Sequence, residues 1–176
     1  MYSGNRMTET LRAISADLIA SIQGLSKGRF DELFSMKDYH GFIKSRFPDE
    51  MLRATLKPYG YTPETIQIEL VQVDTDLSNE IHFHKKAHAY TVVLGEGEHV
   101  EGPRDGLIYK DGVWSDAVPH QEIDIPPGTP HTFSVKPGGT LTFLSVQTPP
   151  IEDTAGHDDY YHPEAFDYMQ GELSTK

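Results

Sequence analysis

Glu80-Ile81-His82-Phe83-His84-Lys85-Lys86-Ala87-His88 and, further along, Pro126-Pro127-Gly128-Thr129-Pro130-His131 are the two stretches that decide how this chain reads. The first carries histidines spaced H-x-H-x3-H in a run that alternates like a β-strand. The second places a histidine directly after a Pro-Gly turn. Neutral imidazole is the commonest side-chain ligand for transition metals. In a strand, residues i and i+2 point to the same side, so His82 and His84 reach one ion together. His82, His84, His88, Tyr90 and Val92 share parity, and they face one side if Lys85 to Ala87 leave the alternation intact. His131 opens the next strand and completes the set from across the sheet. The expected ligands of one divalent transition ion are therefore His82, His84, His88 and His131.

Around these stretches the sequence is β-rich. Runs at Thr65–Asp74, His82–Leu94, His99–Val113, Gln121–Ile125, His131–Val135 and Thr140–Thr148 are separated by turn signals such as Gly95-Glu96-Gly97 and Pro137-Gly138-Gly139. Many short strands at such spacing predict a sandwich or barrel. The first third reads as helical. Leu11, Ile14, Leu18, Ile19, Ile22 and Leu25 recur at three and four residues, the stripe of an amphipathic helix. Thr8 or Thr10 is the expected cap, and Gly24 or Gly28 the expected end. A second helix is expected from Phe30 to Phe47, stopped by Pro48, and a short third from Asp49 to Leu56. The expected organisation is a helical segment over 1–60, a β-barrel over 61–151 and an acidic tail over 152–176, with a short helix near Pro163 to Gln170.

The chain has 176 residues, enough for one domain with a sizeable core. Its formal net charge of -12 argues against nucleic acid or an anionic membrane surface as partner. From Ile151 to Lys176 there are seven acids and one base, which reads as a solvated tail. There is no cysteine, so disulfides, thiolate metal sites and a cysteine nucleophile are excluded. The first nine residues lack the apolar stretch of a signal peptide, and no apolar run is long enough to span a membrane. The expectation is a cytoplasmic protein acting on a small molecule, with a homodimer allowed by the wide apolar face of the first helix.

At the histidine stretches the chain resembles the cupin superfamily. The first cupin motif reads G-x5-H-x-H-x3/4-E-x6-G; His82, His84 and Gly95 match it, and His88 stands in the glutamate slot. The second reads G-x5-P-x-G-x2-H-x3-N; Pro126, Gly128 and His131 match it. Asp76 and His120 replace the opening glycines and Val135 the closing asparagine. The resemblance covers about Thr65 to Pro150 and implies a jelly-roll β-barrel with a helical N-terminal segment. It also implies a metal enzyme, with an iron(II) dioxygenase favoured. Manganese, nickel, cobalt, copper or zinc would also fit the donors. A non-redox isomerase or lyase, and a non-catalytic ligand-binding cupin, are the alternatives. Four imidazoles would leave the ion at its full charge, a stronger Lewis acid than one with a carboxylate ligand.

Tyr90, two residues beyond His88, is the expected catalytic hydrogen-bond donor. His120 and Glu69 are further candidates for a general base. Phe143, Ser145 and Gln147 share parity in the last strand and have the mixed composition of a binding wall. His157, Asp158, Asp159 and His162 form a loose cluster in the tail, read as surface. No phosphate loop, nucleophile elbow or dinucleotide fingerprint is present.

Overall fold

Leu11, Ile14, Leu18 and Ile22, the stripe of the first helix, are all fully buried along α1 (Ser3–Gln23). The structure, a computed structural model, describes residues 3–33, 36–37, 43–45, 47–73 and 81–151. Helix α1 ends at Gly24, as the sequence predicts, but it begins ahead of both expected caps. Thr10 lies inside it and donates back to the Arg6 carbonyl at 2.9 Å. Thr8 reaches across to Asp124 at 3.0 Å. The third helix, α3 (Asp49–Leu56), has the expected bounds, with Asp49 and Glu50 in its first turn, where carboxylates favour the helix dipole. A single 3-10 turn at Lys57–Tyr59 follows, closed by Gly60 at φ 76°, a conformation that glycine adopts without steric cost.

The expected second helix is corrected. Helix α2 spans only Lys27–Leu33, and strands β1 (Met36–Lys37) and β2 (Ile43–Ser45) stand where it would continue. Strand β2 pairs antiparallel with β3 (Gln67–Val73). Gly41 and β-branched Ile43 give that stretch weak helical preference, and the open edge of β3 offers a hydrogen-bonding ladder instead.

The rest is antiparallel sheet: β4 (His88–Val93), β5 (Arg104–Lys110), β6 (Val113–Asp116), β7 (Glu122–Ile125) and β8 (His131–Thr148). The two runs expected before and after Pro137-Gly138-Gly139 are one strand, β8. Its first half pairs with β5 and its second half lies between β3 and β4. By serving both parts, β8 curls the sheet into a half-barrel. The mainly β, jelly-roll type of architecture with a helical N-terminal segment is as expected. The sheet sorts its residues by parity. Val71, Val73, Ala89, Val93, Ile108, Ile123, Ile125, Phe133, Val135, Leu141 and Phe143 share the inner core. Tyr90, Val92, Leu144 and Val146 face the other way and pack with α1. Both faces of β4 are therefore buried, and all six of its residues are. The tail cluster of His157, Asp158, Asp159 and His162 lies outside the described residues, as do Asp76 and His40. Among the described residues no helix is long and apolar enough to cross a membrane.

Candidate metal centre

The second motif forms its turn as its residues dictate. Pro127 sits at the second position and Gly128 at the third, with φ 81°, and the Thr129 N–H donates to the Pro126 carbonyl at 3.2 Å. That is the pattern of a type II turn, which needs glycine at its third position. The turn delivers His131 opposite His82. Each donates its N–H to the other's carbonyl, at 3.1 Å from His82 and 2.8 Å from His131. Residues opposed in this way project to the same side. His84, two residues on, joins them, anchored by a 2.8 Å bond from the Gly128 N–H to its carbonyl.

The three rings lie 4.5 to 5.1 Å apart by centroid. One donor nitrogen from each falls within 4.8 Å of the others. His84 and His131 are buried at 7% and 5% exposure. His131 Nδ1 lies 2.9 Å from the Thr129 carbonyl. A carbonyl only accepts, so Nδ1 carries the proton and Nε2 keeps its lone pair. Burial, and then the neighbouring His82 imidazole, lower the His131 pKa to about 3, against the smaller opposing effect of the Thr129 carbonyl. The ring is therefore neutral at pH 7. Converging imidazoles, with at least that of His131 neutral and its Nε2 lone pair free of the Thr129 bond, are what a transition ion requires, and the residues fit it.

Two expected site residues are not brought to this group. Lys85 and Lys86 form a bend, which breaks the alternation on which the shared parity rested. Strand β4 restarts with Ala89, Thr91 and Val93 inward, and Ala89 is the residue that joins the inner core beside Phe133. His88 instead faces α1. Its Nε2 lies 2.6 Å from Asp124 Oδ1, the same oxygen that receives Thr8 Oγ1. Tyr90 also faces α1 and is 1% exposed. Its hydroxyl accepts a 2.8 Å bond from Arg12 Nε. Burial raises the Tyr90 pKa, partly offset by that bond. The observed grouping is His82, His84 and His131, with no carboxylate in it.

Polar side chains also share the inner face of the sheet. Register aligns Gln67 with Gln147 and Glu69 with Ser145 across β3 and β8, and Thr91 with Ser145 across β4 and β8. Gln67 Nε2 donates to Glu69 Oε1 at 2.9 Å, and Thr91 Oγ1 donates to Ser145 Oγ at 3.3 Å. Beyond them Phe143 stacks on Phe133 with centroids 4.2 Å apart. Phe143, Ser145 and Gln147 thus share the inner face, as their parity predicts. His120 lies elsewhere, next to Glu98 on the α1 side. Sequence reading missed Arg12, Glu98 and Asp124. The alternation Glu122-Ile123-Asp124-Ile125 was the available signal that β7 turns a polar face outward.

No family model and no curated protein matches the chain. Solved structures do. A protein from Planctomyces limnophilus is 16% identical with a TM-score of 0.48, over 74% of this chain and 91% of that one. An RmlC-like cupin from Shewanella frigidimarina is 17% identical with a TM-score of 0.48, over 70% and 91%. A Streptomyces nucleoside dehydratase is 15% identical with a TM-score of 0.47, over 71% and 81%. At these values the likeness assigns neither substrate nor chemistry.

Proposed function

We propose that this chain is a metal-dependent enzyme on a cupin-type sheet, holding one divalent transition ion between His82, His84 and His131 and acting on a small organic molecule. The observation that carries the reading is the convergence of three imidazole nitrogens within 4.8 Å on the inner face of the sheet. An ion held there by neutral ligands keeps its full charge and supplies Lewis-acid or, for iron, redox chemistry. The chain's own residues do the rest. The Thr129 carbonyl fixes the tautomer of His131. Gln67, Glu69, Thr91, Ser145 and Gln147 offer hydrogen bonds to the polar part of a substrate, and Phe133 and Phe143 pack its apolar part.

The finer reading is an iron(II) dioxygenase in the cytoplasm. A second reading is a non-redox lyase or isomerase. It is favoured by the donor set itself, because three histidines with an open position are also a catalytic zinc arrangement. Glu69, on the inner face among the described residues, is then the candidate base. The test is metal analysis of protein purified without added metal, followed by oxygen uptake with diketones, phenols and thiols under iron or zinc. Turnover with iron and oxygen but not with zinc supports the dioxygenase. Equal turnover with zinc under nitrogen replaces it with the non-redox enzyme. No metal retained, or no turnover with any, overturns the enzyme reading.

A further inference from the structure

The α1 side of the sheet carries a cavity, of about 270 Å³, between the helix and the β4–β7 pair. Its walls are of two kinds. Ala16, Ile19 and Ala20 of α1 and Val92 of β4 make an apolar strip. At one end of the strip stands Glu98, a carboxylate only 2% exposed. At the other, Arg12 and Glu122 pair at 3.3 Å.

Glu98 is incompletely satisfied for a buried charge. Oε2 receives one strong bond, from the Gly95 N–H at 2.7 Å. Oε1 has only long contacts, with Gln23 Nε2 and His120 Nδ1, both at 3.4 Å. A carboxylate offers about four acceptor sites, and a buried one without a counter-charge is costly. Arg12 does not reach it: eleven residues separate Arg12 from Gln23, about 16 Å along the helix. The surroundings are held for this arrangement. His120 has a φ of 62°, uncommon for a side chain with a Cβ. Its ring stacks so closely over Gly95 that a Cβ there would lie 2.9 Å from Nε2.

We propose that this cavity binds a primary alkylammonium. Its head group sits at Glu98 Oε1 between Gln23 and His120, and its unbranched chain lies along Val92, Ala16, Ile19 and Ala20. An ammonium brings a positive charge and three donors to a buried carboxylate whose Oε1 has only long contacts, and the alkyl chain covers the apolar strip. The site lies on the opposite side of the sheet from His82, His84 and His131 and does not depend on the metal reading.

The test is calorimetric titration of the full chain with butylamine in the presence of a chelator, with butanol as the uncharged control. A saturable isotherm at one per chain for butylamine and none for butanol is expected. Glu98→Gln keeps an acceptor for the Gly95 N–H and should weaken binding at least tenfold. Ala20→Trp fills the cavity from an exposed helix position, leaves the core untouched and should abolish binding even if Glu98→Gln fails to fold. No saturable heat with butylamine, equal heat with butanol, or unchanged binding in Ala20→Trp would overturn the proposal.

Discussion

On the inner face of β4, Ala89, Thr91 and Val93 border the core that His131 and Phe133 enter. On its outer face, His88, Tyr90 and Val92 lie under α1. Both sets are buried, yet their polar groups are used in opposite ways. The inner histidines face one another and have each other's rings as neighbours. The outer polar groups are each tied to a partner on another element: His88 to Asp124, Tyr90 to Arg12, and Asp124 in turn to Thr8. Buried polar groups that are fully partnered fasten a structure. Like donors that converge on one point suit a metal ion. The difference teaches that burial alone does not identify a site; the convergence of several like donor atoms does.

The sharpest way to break this comparison is by metal affinity. His131→Ala should weaken metal binding by at least about a hundredfold, whereas His88→Ala should leave metal content unchanged. Both are read by metal analysis after dialysis. Metal lost in His88→Ala would return that residue to the ligand set. The next largest effect belongs to the helix that closes the outer face. Leu18 is fully buried, and Leu18→Ala should cost about 2–5 kcal/mol in denaturant unfolding. A cost near zero would mean that α1 is not packed on the sheet.

His88→Ala should itself cost about 1.5–3 kcal/mol, the range for a hydrogen bond to a charged group, measured in the same unfolding series. Equal loss in His88→Ala and Asp124→Ala, without further loss in the double variant, would show that the pair acts as one unit. The smallest effect is that of Tyr90→Phe. It removes the acceptor of Arg12 and should cost about 0.5–1.5 kcal/mol, with turnover unchanged once a substrate is found. A large fall in turnover at constant stability would restore Tyr90 to the chemistry and erase the contrast between the two faces.

Much of this molecule was legible in its residues. The stripe from Leu11 to Ile22 determined α1, because only one register buries all of it. Pro127-Gly128 determined the turn before His131, since φ there must be positive. The pair His82 and His84 was determined by the two-residue period of a strand, which holds over a separation that short. His88 shows where this reasoning stops: parity extrapolated across Lys85-Lys86-Ala87 fails at a single bend, and one displaced residue exchanges inside for outside. The strands that replaced the second expected helix were decided by the unpaired edge of β3, which local propensity does not contain. Glu98, Arg12 and Asp124 also have partners 75, 78 and 116 residues away in the chain. Sequence by itself fixed which residues could serve chemistry, because donor type and local period are local properties. The tertiary structure decided which of them meet, because that depends on how the sheet curls and which face the helix covers.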